Sequence, residues 1–343
     1  MKTLIISGIL FFLLILLTRK KHTQYYISLA FLYYIVVMLG WFHTFKFSGN
    51  YLTIFPDELT YINATTSLPY AQLVNYLFNT VGPDFFRILN IMSLSLIMIY
   101  ILERLDFKYT ISNIFIITLL CSFWYWPFFI LKETLTVVGV LLVIISARRR
   151  IFLYLGVFLL LVVRAEMLIL LLIGYSAAYV YNRSKKIFII INALFVNITV
   201  WFMSLPISAA IKLTFVSRRF YEGKMLDDET KSAAALKGLD FLFSDIYIQT
   251  VMTNINRSYN FIFKGLGINS PLLAINFLAV FLFVSRFFSR NVKLNNYDFF
   301  FIYSILILIF TVSTYRYANA ICVPYLVYIL ILNSKNNNFK IKG

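Results

Sequence analysis

Long apolar runs separated by short polar breaks dominate the chain. The runs fall at 1–18, 25–45, 84–103, 110–126, 129–147, 151–164, 166–181, 187–205, 270–288, 298–315 and 318–333. A helix rises ~1.5 Å per residue, so roughly 20 residues cross a hydrocarbon layer about 30 Å thick. The pattern predicts an all-α fold, a polytopic transmembrane helical bundle of about 11 spans. The pair 151–164 and 166–181 is short for that role and also reads as tilted or re-entrant. Residues 1–18 are followed by RKKH rather than by a small-residue cleavage site, so they read as a span and not as a signal peptide. Two stretches interrupt the rhythm, 46–83 and 206–269. Both read as outer loops of one integral membrane domain covering 1–343, carrying short amphipathic helices. Residues 71–81 alternate in the manner of a helix lying in a membrane interface.

Composition agrees with this pattern. Hydrophobic residues make up 61% of the 343 and charged residues 13%, against about 45–50% and 25% in soluble domains. That excludes a soluble enzyme, a disordered chain and a disulfide scaffold. The two cysteines, Cys121 and Cys322, lie in apolar runs and read as small buried hydrophobes. No internal repeat is visible, which weighs against an inverted-repeat transporter.

The net charge of +17 would suit nucleic acid, but its distribution follows membrane topology. With Arg19, Lys20 and Lys21 placed inside, alternation puts 17 of the 31 basic residues on the inner face and only three of the 14 acids, Glu103, Asp106 and Asp298. The inner face is then net +14 and the outer face +3. The expected arrangement has the N-terminus outside, the C-terminus in the cytoplasm, and no nucleic-acid partner.

Ionisable residues at membrane depth are costly and mark functional sites. Here they gather at the outer ends of spans. Asp57 and Glu58 follow Pro56, which suits the first turn of a short helix and puts Tyr61 on their face. The bland reading is an acid pair favourable to the helix dipole. Trp124, Tyr125 and Trp126 read as an interfacial aromatic belt; Pro127 ends the helix, and Lys132 and Glu133 open the next. Lys132 either snorkels beside Glu133 or holds a phosphate as a point charge. Arg164 and Glu166 sit between two apolar runs with almost no loop. Arg316, between Tyr315 and Tyr317, is either an anchor or an anion ligand. In the long loop, Arg218 and Arg219 are adjacent donors suited to phosphate oxygens, and Arg257 precedes an apolar patch. Asp227, Asp228 and Glu229 read as a solvated acidic run. There is no Walker motif, GxGxxG or HExxH, and the only histidines are His22 and His43.

The succession PDELTY, GPDFFRILN, FWYWPFFILKETL and RYANAICVP resembles the polytopic C-type glycosyltransferases and the O-antigen polymerases of bacterial polysaccharide clusters. The resemblance covers most of the chain in architecture, through short, degenerate motifs. It implies a glycosyltransferase of the bacterial inner membrane that uses polyprenyl-(di)phosphate-linked sugar at the outer face. Asp57 would be the catalytic base, with Glu58 as its understudy; Glu133 and Glu166, read from the residues themselves, are the candidates should the base lie elsewhere. The lipid pyrophosphate would be held by Arg164, Arg218, Arg219 or Arg316; Lys132 and Arg257 are further substrate-binding candidates read from the residues themselves, and Tyr61, Trp124 and Trp126 are candidates to stack on sugar. A soluble C-terminal domain found in many C-type enzymes is absent, and the late large loop favours the polymerase branch. No cofactor is required, and a divalent metal is optional because arginines can supply the charge. The implied partners are the lipid-linked donor, a glycan acceptor, the bilayer and other polysaccharide-assembly membrane proteins. A transferase that adds a single sugar from polyprenyl phosphate, and a flippase or transporter of lipid-linked oligosaccharide, remain open alternatives.

Overall fold

A computed structural model describes residues 2–44, 56–64, 69–82, 84–147, 149–205, 270–289, 294–311 and 315–334, with a few isolated positions between 240 and 252. The described residues are helical, without a strand. The order is α1 (Lys2–Leu17), α2 (Lys21–Thr44), α3 (Pro56–Ile62), α4 (Pro69–Val81), α5 (Asp84–Leu102), α6 (Ile111–Ser122), a short 3-10 helix (Phe123–Phe128), α7 (Lys132–Ile145), α8 (Arg150–Arg183), α9 (Lys185–Ser204), α10 (Ser270–Phe288), α11 (Asn296–Thr311) and α12 (Tyr315–Asn333). Among the described residues, four segments are long and apolar enough to cross a membrane: Lys21–Leu39, Phe85–Leu102, Ile111–Phe128 and Arg150–Arg183. Shorter apolar helices occupy Ile6–Leu17, Ala274–Phe288 and Ala318–Asn333.

Local chemistry sets most of the helix ends. Prolines open α3 and α4, where the missing N–H costs nothing. Gly82 closes α4 at φ +99°, its N–H reaching the Phe78 carbonyl at 3.1 Å; glycine takes that conformation without penalty. Thr110 caps α6 by accepting the Asn113 N–H. Pro127 cannot donate to a continuing helix, and α6 passes into the 3-10 turn before Leu131 becomes extended.

The two short runs at 151–181 form one 34-residue helical stretch, α8, broken at Arg164. There the backbone is extended, at φ −161° and ψ 77°. The structural break therefore falls at the residue where the hydrophobic pattern predicts a boundary.

The described residues pack as two compact units. The first comprises 1–170, 267–288 and 319–343. Its two ends differ in character. At one end, the Arg19 and Lys20 N–H groups both donate to Glu103 Oε1 at 3.0 Å, and Lys20 Nζ donates to the Leu105 carbonyl. Asp106 N–H meets Ser334 Oγ, and Asn333 meets Asn113. The α1–α2 turn, the α5–α6 link and the end of α12 thus converge. At the other end, the start of α5 and α3 both bond to the segment that runs from the 3-10 turn to the start of α7. Between these ends α7 and α8 approach closely: a Cβ at Gly139 would stand 2.8 Å from Leu160, and one at Gly156 would stand 2.9 Å from the Gly139 carbonyl. Small residues permit such backbone proximity.

The second unit comprises 171–266 and 289–318. Ala178, Leu294 and Phe299 form its described core, with Tyr181 and Phe188 packed on them. Gly174 lies against the α11 backbone, where a Cβ would be 2.7 Å from the Phe300 nitrogen. Asp298, read from the sequence as an inner-face acid, is fully buried. It accepts the Asn295 N–H while Asn295 Oδ1 accepts that of Tyr297, a reciprocal cap for α11.

Candidate functional site

The candidate site forms around the start of α7, at the end of the first unit opposite Glu103. Three buried side chains fix the extended segment leading into it. Arg87 Nε donates to the Phe128 carbonyl at 3.0 Å, Asn90 Nδ2 to the Phe129 carbonyl at 3.0 Å, and Glu58 Oε1 accepts the Ile130 N–H at 2.9 Å. Three consecutive residues are therefore held by groups from α5 and α3, and the Arg87 guanidinium also lies over the Phe128 ring at 4.7 Å. An extended backbone inside a helical bundle must have its polar groups satisfied this way, since each lost partner costs about 1–3 kcal/mol.

This support aims Lys132 and Glu133. The Glu133 carboxylate is 1% exposed and its Oε1 is 3.5 Å from Arg164 Nη2. Arg164, 4% exposed, projects from the break in α8 and its Nε is also 3.5 Å from Glu166 Oε1. Glu166 itself is exposed. The guanidinium thus bridges a buried and an exposed carboxylate. Lys132 Nζ sits 5.3 Å from the ring of Tyr61 and 5.8 Å from that of Tyr70, within cation–π range. The two rings meet edge to face at 5.1 Å. The Tyr70 hydroxyl is buried without a hydrogen-bond partner among the described residues. Burial, and next the neighbouring Tyr61, Glu133 and Glu58, push its phenol well above the ordinary value, against the pull of Arg164. Tyr70 therefore keeps its proton, and its hydroxyl has a hydrogen to donate.

Of the residues singled out from sequence, Glu58, Tyr61, Lys132, Glu133, Arg164 and Glu166 come together here. Two assignments need correction. Trp124 and Trp126 are neither an interfacial belt nor a surface for sugar. Both are fully buried, and their indole N–H groups are used internally, by the Tyr26 hydroxyl at 2.9 Å and by Asn319 Oδ1 at 3.1 Å. Glu58, expected as a catalytic carboxylate, is fully buried and accepts the Ile130 N–H, a contact that supports the segment leading into α7. Asp57 lies in α3 and Arg316 in α12, but their side chains fall outside the described residues. Arg218, Arg219, Arg257 and the run Asp227, Asp228 and Glu229 also fall outside them.

Sequence reading missed Tyr70, Arg87, Asn90 and Asn319. Asn319, in the RYANAICVP segment, joins Trp126 to the Leu272 carbonyl at 2.7 Å and to Asn276 at 2.8 Å. The usable signal for Arg87 and Asn90 was their three-residue spacing at the start of an otherwise apolar helix, which puts both on one face. The cysteines are free and buried, as their apolar surroundings predict.

No protein-family model, curated protein or solved structure matches the chain.

Proposed function

We propose that this chain is a membrane glycosyltransferase that takes sugar from a polyprenyl-(di)phosphate donor at the outer face of the bacterial inner membrane, polymerising repeat units of an O-antigen or capsule. The carrying observation is the convergence of a buried carboxylate, Glu133, with two cations, Lys132 and Arg164, and two phenols, Tyr61 and Tyr70. In the reaction, the acceptor hydroxyl attacks the anomeric carbon and gives its proton to a carboxylate. The bond from that carbon to the phosphate oxygen breaks, and polyprenyl (di)phosphate leaves. Lys132 and Arg164 stabilise the charge developing on the leaving oxygen, Tyr70 donates to a sugar or phosphate oxygen, and Glu133 takes the proton.

An arrangement of about eleven spans with the N-terminus outside fits this reading. It is supported by the meeting of the basic turns 18–21 and 103–108 with the end of α12, a helix-length away from the candidate site. A second reading, translocation of the lipid-linked oligosaccharide, draws on the burial of the Glu133–Arg164 pair in an apolar bundle, where ionisable pairs mark transport pathways.

The test is to reconstitute the purified chain with a polyprenyl-diphosphate-linked oligosaccharide and resolve products by length. A ladder that Glu133→Gln abolishes is the expected result. A single added sugar would indicate the decorating transferase. Lipid-linked sugar crossing the bilayer without any new glycosidic bond would replace transfer with translocation.

A further inference from the structure

At the end of the first unit opposite the candidate site, a cavity of about 370 Å³ opens between α2 and α6. Lys21, His22 and Tyr25 of α2 form one wall and Ile114 and Ile117 of α6 the other; Phe107 and Tyr109 of the preceding link close it. The walls are built. His22 is buried, its Nε2 donates to the Leu102 carbonyl at 2.9 Å, and its ring stacks on Phe107 at 4.8 Å between centroids. The Tyr25 hydroxyl pairs with Thr118 on α6 at 3.1 Å.

Two features define the occupant. The interior is apolar. Tyr25 and Ile114 at its edge are exposed on helices long and apolar enough to cross a membrane, and Tyr109 of the link is exposed beside them. The lip is cationic. Lys21 is exposed there, and the turn and link that flank the cavity carry Arg19, Lys20, Arg104 and Lys108 beside Glu103 and Asp106. The Glu103 carboxylate is already committed to the Arg19 and Lys20 N–H groups. An apolar slot between spanning helices with a basic lip at the bilayer surface suits an acyl chain below and an anionic headgroup above.

We propose that this cavity binds one anionic phospholipid, its phosphate against Lys21 and an acyl chain along Ile114 and Ile117. The Tyr109 ring then lies at headgroup level, where amphipathic aromatics are favoured. This site is independent of any transfer chemistry at Glu133.

The experiment measures lipid retained by the purified full chain, by native mass spectrometry, after exchange into detergent with phosphatidylglycerol or phosphatidylcholine. One phosphatidylglycerol should be retained in preference to phosphatidylcholine. Lys21→Gln should weaken retention about fivefold, the contribution of one lysine near an anionic headgroup. Ile114→Trp should remove it by filling the slot, and Lys186→Gln, in the second unit, should leave it unchanged. Equal retention of the two lipids, wild-type retention in both cavity variants, or displacement of the lipid by inorganic phosphate at equal concentration would overturn the proposal. A phosphatidylglycerol carrying a photoactivatable group in its chain gives a check without substitutions. Crosslinks within 21–25 or 107–117 support the site, and crosslinks confined to other segments refute it.

Discussion

Arg164 Nη2 stands 3.5 Å from Glu133 Oε1, joining the break in α8 to the first turn of α7 with both side chains buried. Removing one member of such a pair leaves an uncompensated buried charge, at a cost of about 3–5 kcal/mol. Arg164→Ala should therefore lower thermal stability and abolish polymer formation. Arg164→Lys should keep the charge but lose the planar fork, recovering stability more than activity. Melting temperature and polymer length, read on the same preparations, separate the two effects. Wild-type polymer from Arg164→Ala would remove this residue from the site.

Glu58 offers a sharper discrimination. In a positioning role it accepts the Ile130 N–H at 2.9 Å, and glutamine keeps an oxygen for that bond. Glu58→Gln should then retain most activity, and Glu58→Ala should lose both stability and activity. A general base would behave differently, since its loss typically costs about 10²–10⁴ in rate whatever the shape of its replacement. Initial transfer rates of the two variants decide between these roles.

The α7–α8 approach should tolerate no added volume. Gly139→Ala places a carbon 2.8–2.9 Å from the Leu160 side chain, and Gly156→Ala one 2.9 Å from the Gly139 carbonyl. Overpacking of this kind costs about 1–3 kcal/mol. The Gly156 variant should be the more damaging, because backbone cannot rotate away as a leucine tip can. Both should depress activity in step with melting temperature, by displacing Glu133 from Arg164.

Glu103 gives a pH dependence at the opposite end. Partial burial opposes its ionisation, but the Lys20 and Arg19 N–H groups, the Thr23 hydroxyl and the Lys20 charge together hold it below the ordinary carboxylate value of 4.5. A carboxyl depressed in the folded state contributes stability that is complete above its unfolded value and lost as pH falls through the folded one. Stability should thus decline in acid below about pH 4.5. Glu103→Gln should be less stable at neutral pH and should decline less in acid. Unfolding midpoints at neutral and acidic pH provide the measurement; parallel curves for the two proteins would contradict the assignment.

Reporter fusions test the orientation. Residues 50–80 and 210–265 should report outside, and 148–150 and 335–343 inside. An outside signal at Arg149 would reverse the scheme.

The sequence by itself determined the helical class and most element boundaries, because a 1.5 Å rise and an apolar surround leave few alternatives. Pro56, Pro127 and the Arg164 interruption were legible for the same reason: each changes what the backbone can do locally. The meeting of Glu133 with Arg164 was only half legible. Both residues stood out as charges among apolar neighbours, yet 31 positions separate them, and they meet through the packing of α7 against α8. For Trp124, Trp126 and Glu58, burial was decided by tertiary structure. Trp124 and Trp126 have the composition of an interfacial belt, but Tyr26 and Asn319 draw their N–H groups into the packed interior. Glu58 has the look of a base, but a neighbouring chain segment, extended because of Pro127, needed an acceptor for Ile130. Side-chain type sets which chemistry is available, and the groups that other segments leave to be satisfied decide which chemistry is used.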